Sequence, residues 1–268
     1  MNNKSITYVA ALIDSLGLDS FGENLNKLMQ SVISYEMSCM FFFKYNSPPV
    51  MLFDGYSESI SRKALSSYLK GGYLLDPFYV ACSSNHPPGV WRMEDLAPDS
   101  FFSSEFIVSK DIHPCVSCEN NLLVEEIGLI SPITTEASIV FSMMRTQGSE
   151  AFHSSEIGRI NEIFSIINSL IKRHVDLILS SKKSLNLKIE DDIEDQFIDF
   201  FNKKITPTQS QIAKLILRGH SVKSIAYLLK IKESTVKLHK SNIYNRLDIL
   251  NQADLFRMFI DFLSKKIS

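Results

Sequence analysis

Lys237, Leu238, Ser241 and Asn245 are spaced by one, three and four residues, so on a helix they share one face. A cation, a hydroxyl, an amide and one apolar side chain on a single face are the groups needed to read a major groove. Cations and amides reach base edges, and an apolar atom meets the thymine methyl. Lys223, Ser224, Ser234, Thr235 and Lys240 flank that face and suit phosphate oxygens, which fix register without reading sequence.

Such a face works only if something holds the helix from behind. Val236, Ile243 and Leu247 recur at spacings of seven and four, opposite the polar face, and predict packing on two preceding helices. Thr206 can cap the first of these, with Pro207 in the first helical position, where a missing N–H does no harm. Ile212, Leu215 and Ile216 give it an apolar stripe, and Gly219 ends it. Ser221 caps a second short helix with Ile225, Leu228 and Leu229 inward. A tight turn through Lys230 and Ile231 leads to the third, opening near Glu233 or Ser234. Asn251 caps a fourth, striped by Leu255, Phe259 and Phe262.

The stretch Ile205 to Leu250 resembles the DNA-binding domain of the LuxR/FixJ (NarL) class of bacterial transcription regulators. The residues that carry the resemblance are Ile205-Thr206-Pro207, Gly219, Ser224-Ile225-Ala226 and the run Ser234-Thr235-Val236-Lys237-Leu238-His239-Lys240-Ser241-Asn242-Ile243. It implies a helix-turn-helix and double-stranded DNA as partner. Two positions depart from the family: Gln209 replaces the usual glutamate and Ala213 the usual leucine, which implies a missing internal salt bridge and less packing. These departures keep open an alternative, a degenerate helix-turn-helix that pairs with another regulator or acts as its antagonist.

Charge divides the chain at the same place. Residues 201–268 hold 13 Lys and Arg against 4 Asp and Glu, leaving 15 against 26 in residues 1–200, or about +9 and −11. The basic end is drawn to polyanions, and the acidic front is a poor nucleic-acid binder that could fold back and mask it. A length of 268 residues suggests two domains, and 45% hydrophobic content suffices for a core in each. No apolar run approaches the roughly twenty residues that cross a bilayer, and no secretory signal opens the chain. The expectation is a cytoplasmic protein with no membrane partner.

The front half has its own order. Helical spacing over 6–16 and 21–33, with Asp19 or Ser20 as a cap for the second, precedes a β-hairpin at 37–45 and 50–56. A helix over 59–70, capped by Ser59, stops at Gly71-Gly72. Residues 73–110 are dense in aromatics and broken by Asp76-Pro77 and His86-Pro87-Pro88-Gly89, as expected of short helices and turns roofing a pocket. Strand-like segments at 127–133 and 137–144 and a long helix from Ser154 to about Ser180 complete it. These elements describe an α/β sandwich of the GAF/PAS kind, an antiparallel sheet with helices on both faces. The predicted organisation is residues 1–180 as a sensory or dimerisation domain, 181–202 as a linker with an acidic helix (EDDIEDQFIDFF, 190–201), and 203–268 as an all-α four-helix DNA-binding domain.

Region 60–135 is similar to the autoinducer-binding domain of quorum-sensing LuxR regulators, on the order Tyr68, Asp76-Pro77, Trp91. The resemblance implies that Asp76 accepts a hydrogen bond from an effector amide, that Tyr68 donates to its acyl carbonyl and that Trp91 walls the ring end. The family's tryptophan four residues before the tyrosine is Ala64 here, and the interval from Tyr68 to Asp76 is one residue short. A small, largely apolar effector is implied, and an acyl-homoserine lactone is a poor match.

No other constellation carries chemistry. His113 and the Cys115-Val116-Ser117-Cys118 pair lack a second pair for a structural zinc, so no metal or cofactor is expected. Nothing follows GxxxxGK[ST], HExxH or GxSxG, which leaves enzymatic activity without a motif. Operator half-sites one DNA turn apart are usually read by two-fold dimers. Homodimerisation is therefore expected, through the long helix ending near Ser180 and through the fourth helix of the DNA-binding domain. A dimeric regulator with no ligand remains an alternative.

Overall fold

The computed structural model describes residues 3–45, 47–56, 62–103, 123–181, 200–201 and 204–265. Helices α1 (Asn3–Asp14) and α2 (Phe21–Gln30) lead into the hairpin β1 (Met37–Lys44) and β2 (Val50–Gly55). Then come α3 (Arg62–Lys70), a 3-10 turn (Gly72–Leu75), α4 (Pro77–Ser83), β3 (Gly89–Arg92) and the single turn α5 (Met93–Leu96). Strands β4 (Leu123–Thr134) and β5 (Ala137–Thr146) and the long helix α6 (Ser154–Ser181) close the N-terminal region. Four helices follow: α7 (Pro207–Leu217), α8 (Val222–Leu229), α9 (Glu233–Leu247) and α10 (Gln252–Lys265).

All strand pairs are antiparallel, in the order β2-β1-β5-β4-β3. The central strand β5 is buried along its whole length, because both faces of the sheet are covered. Alternation sorts its side chains. Ile139, Phe141 and Met143 join Met40, Ile127 and Leu129 beneath α1, α2 and α6. Val140 and Met144 join Phe41, Phe43 and Ile130 beneath α3 and α4. Each large apolar side chain fully buried there contributes roughly 1.5–3 kcal/mol.

The sequence did not predict strand β3. Only four residues long, it shows no readable alternation and is held as an edge by its partner, Trp91 lying opposite Gly128 of β4. Ser20 takes the N-cap position of α2 but makes no side-chain capping bond, and the expected cap Ser59 lies outside the described residues. The first turn of α6 is tied to the sheet by Arg145. Its Nη2 and Nη1 donate to the two carboxylate oxygens of Glu156 at 2.8 and 3.1 Å, and its guanidinium lies 4.2 Å from the Phe152 ring. A fork of this kind fixes direction as well as distance.

Candidate nucleic-acid interface and sensory cavity

In the C-terminal region the caps form as the sequence implies, whereas Leu228, expected to face inward on α8, is 48% exposed. The Thr206 hydroxyl accepts from the Gln209 N–H at 3.3 Å while Gln209 Oε1 accepts from the Thr206 N–H at 3.0 Å, a reciprocal capping box at the start of α7. Gly219 takes φ +88 just past the end of that helix. Ser221 Oγ accepts from the Ser224 N–H at 3.1 Å to open α8, and Lys230 turns the chain in the left-handed region. Asn251 Oδ1 accepts from the Asp254 N–H at 3.0 Å at the head of α10.

These caps place α9 with Val236, Ile243 and Leu247 buried against α7 and α8. Lys237, Leu238, Ser241 and Asn245 are thereby left exposed on the outer face, Leu238 by 61%. Ser234 and Lys223 are exposed beside them, and Ser224, Thr235 and Lys240 are half-buried. At the departing position Gln209 the family's ion pair is replaced rather than lost: Arg246 Nη1 donates to Gln209 Oε1 at 3.2 Å. Ala213 is fully buried between the helices.

The N-terminal region has a second candidate site under α3 and α4. Asp76 is the N-cap of α4, its Oδ1 accepting from the Phe78 N–H at 2.7 Å, and its Oδ2 accepts from the Tyr68 hydroxyl at 2.6 Å. Both residues are buried. With Cys39, Phe41, Tyr56, Glu126 and Ser142 among their neighbours they line a cavity of about 10 Å3. That is room for a single water molecule. The ring centroids of Phe41 and Tyr68 are 5.2 Å apart and those of Tyr73 and Tyr79 are 5.0 Å apart, so aromatic side chains occupy the space beneath the roof. Burial pushes the Tyr68 hydroxyl well above its usual range, and the neighbouring Asp76 carboxylate adds to the effect, so Tyr68 is a hydrogen-bond donor at neutral pH. Burial likewise raises the Cys39 thiol, whose sulfur accepts from the Tyr56 hydroxyl at 3.1 Å.

The structure therefore brings Tyr68 and Asp76 together and leaves Trp91 apart. Half-buried on edge strand β3, Trp91 donates from Nε1 to the Pro87 carbonyl at 3.1 Å, packs edge-on against His86, and is not among the residues lining the cavity. The lining residues Cys39, Tyr56, Glu126 and Ser142 have no signature in the sequence. For Cys39, Glu126 and Ser142 the cue is period-two alternation along β1, β4 and β5, which places small or polar side chains on an otherwise apolar face, and Tyr56, just past the end of β2, has none. His113, Cys115 and Cys118 lie outside the described residues, as does most of the acidic segment 190–201. Among the described residues no group of three His, Cys, Asp or Glu could hold a metal, and no helix is long and apolar enough to cross a membrane.

A sandwich joined to four helices that present a polar, exposed third helix is the architecture of a helix-turn-helix regulator with an α/β partner domain. Residues 203–259 match the family described as bacterial regulatory proteins, luxR family, and the C-terminal segment is a LuxR-type helix-turn-helix domain. That family consists of transcription regulators, not enzymes. Among relatives, the chain is 24% identical over 196 residues to an HTH-type transcriptional regulator in the exeN 3′ region of Aeromonas salmonicida, an overlap of 70% of this chain and 94% of that protein. Its fold is similar to that of the VqsR LBD domain from Pseudomonas aeruginosa, with a TM-score of 0.55 at 18% identity over 66% of this chain and 99% of the other. Escherichia coli SdiA overlays with a TM-score of 0.42 at 15% identity, covering 93% of each chain.

Proposed function

We propose that the protein is a sequence-specific transcription regulator that acts in the cytoplasm as a homodimer on double-stranded DNA. The observation that carries this reading is the polarity of α9, which buries Val236, Ile243 and Leu247 while exposing Lys237, Leu238, Ser241 and Asn245. The last four read base edges in the major groove, and Lys223, Ser224, Ser234, Thr235 and Lys240 hold the phosphates on either side. Two-fold association is favoured by α1, whose Ile6 and Ile13 lie seven residues apart on one face and are each about half exposed, and by Ile166, half exposed on α6. The test is selection of bound duplexes from a random pool, followed by titration of the selected site and of a scrambled one at several salt concentrations. Steep salt dependence on both, with at least about a thousandfold preference for the selected site, supports the reading. Equal affinity for both, or no binding, sinks it in favour of a protein-interaction module.

The N-terminal domain serves as a sensor for a small effector through the space around Tyr68 and Asp76. An effector there has to move the surrounding rings, since ligand cavities usually enclose about 300–1,000 Å3 against about 10 Å3 here. The closed cavity gives specific support to a second reading, a dimeric regulator that needs no ligand. Native mass spectrometry of protein purified from its own host separates the two: a dimer carrying a discrete small-molecule mass supports the sensor, and a dimer of chain mass alone supports the second reading.

A further inference from the structure

The short segment after α5 reaches across to the helix-turn-helix and takes hold of the turn between α7 and α8. Asp99 Oδ1 accepts from the Ser221 N–H at 2.9 Å, and Ser221 Oγ donates to Asp99 Oδ2 while still capping α8. The next residue repeats the grip through the backbone, Ser100 N–H donating to the Gly219 carbonyl at 3.1 Å. The third, Phe101, is fully buried, and its backbone lies so close to Gly219 that a Cβ there would come within 2.7 Å of Phe101 Cα. Three consecutive residues therefore meet two positions of the turn, Gly219 and Ser221, and the fit requires the glycine.

What is gripped lies next to the candidate phosphate contacts. Ser221 opens α8, two residues before Lys223 and three before Ser224. A cavity of about 230 Å3 between the two regions has Ser100 and Ser103 on one wall and Ser221, Val222 and Lys240 on the other, so the segment stands over the groove between the head of α8 and α9. A carboxylate accepting from a backbone N–H and a hydroxyl at a helix start uses the donors that a DNA phosphate would use. Burial works to raise the Asp99 carboxyl, but the hydrogen bonds from Ser221 outweigh it and hold it below the usual range, so the group is ionised at neutral pH. Glu94 and Asp95, both exposed on α5, add negative charge a few residues away.

We propose that Asp99, Ser100 and Phe101 form an autoinhibitory clasp that occupies the backbone-binding edge of the helix-turn-helix, so that the docked arrangement and DNA exclude one another. The proposal rests on the DNA-binding reading given above. In the docked state Asp99 stands in for a phosphate at Ser221. Binding to DNA requires the segment to let go, and whatever moves the residue 97–103 stretch in the N-terminal domain sets how much protein is competent.

The test uses the full-length chain and a 30-base-pair random-sequence duplex at low salt, since backbone affinity is the quantity masked. Asp99→Ala should raise affinity about fivefold, the loss of a partly exposed charge-assisted contact. Asp95→Asn, which removes one charge nearby without touching the clasp, should leave affinity within about twofold, separating masking from plain repulsion. A second construction locks the clasp: Asp99→Cys with Ser221→Cys, in a C115S/C118S background. Its oxidised form should bind at least about tenfold more weakly than the same protein after dithiothreitol. Equal binding by the oxidised and reduced forms, or weaker binding by Asp99→Ala, overturns the proposal while leaving DNA binding intact. No binding by any of these proteins, the wild type and reduced forms included, overturns the DNA-binding reading and the clasp together.

Discussion

The hydroxyl of Tyr68 and the carboxylate of Asp76 are bonded to each other at 2.6 Å, eight residues apart in sequence and both withdrawn from water. The bond ties α3 to the first turn of α4 and closes the cavity from within. Removing the donor leaves one oxygen of a buried carboxylate without its Tyr68 contact. Tyr68→Phe should therefore lower stability by about 1–3 kcal/mol, read as a fall in the urea midpoint at unchanged slope. An unchanged midpoint would mean that the bond contributes nothing in water.

The outer face of α9 gives a prediction with two readouts. Lys237→Ala and Ser241→Ala should each weaken binding to a selected site by about 1–3 kcal/mol and shift random-sequence binding far less. Competition titrations on the two duplexes measure the difference. Equal losses on both would move these residues to the phosphate class.

At Gln209 the capping box and the contact with Arg246 are already formed by a neutral side chain. Gln209→Glu keeps the geometry, adds charge to the bond with Arg246 and puts an acid in the first turn of α7, where the helix dipole favours it. The expected gain is about 0.5–1 kcal/mol, seen as a higher Tm. A loss would show that burying the charge outweighs both.

His174 makes stability depend on pH. Its Nδ1 accepts from the Gly17 N–H at 3.0 Å and its ring stacks on Phe21 with centroids 3.9 Å apart, an arrangement that needs the neutral ring. Burial pulls its pKa down to about 4, against a smaller opposing pull from Asp19. Unfolded, the ring takes a proton near pH 6.5; folded, it does so only near 4. The contribution is thus complete above about pH 6.5, falls as pH drops through that window and levels off below 4, with a total of up to roughly 3 kcal/mol. Urea melts at pH 7.5, 5.5 and 4.5 measure it, and His174→Phe should flatten the slope. A variant with the wild-type slope would assign the effect to other groups.

If α6 forms the dimer contact through its Ile166 face, Ile166→Glu should weaken self-association by about tenfold or more, since it puts a charge where an apolar side chain would be covered. Sedimentation equilibrium reads the constant. Dimers as tight as wild type would place the interface elsewhere.

Much of the C-terminal region was legible because its signals are local. A cap and the N–H it satisfies lie three residues apart, as at Thr206 and Gln209, and a helical face repeats within two turns. The N-terminal helices and the four longer strands showed for the same reason. What did not show depends on distant partners. Strand β3 exists because Trp91 finds Gly128, and the clasp exists because Asp99 finds Ser221, 122 residues further along. Nor does the pair Tyr68 and Asp76 reveal from sequence that each is the other's partner. Two residue types suited to a ligand are equally suited to satisfying one another, and only the packed rings beneath them decide how much room is left.

Phe200 packs edge-on against Phe259 with ring centroids 5.3 Å apart and at a tilt against Phe262 at 5.2 Å, so the chain is moored to α10 before the helix-turn-helix begins. Phe200 precedes the first helix of that region and Phe259 and Phe262 lie on its last, so the two ends of the segment are fastened to each other. A pull on the chain ahead of the reading head is then passed to α10 first, and reaches α9 only through the helices packed between them.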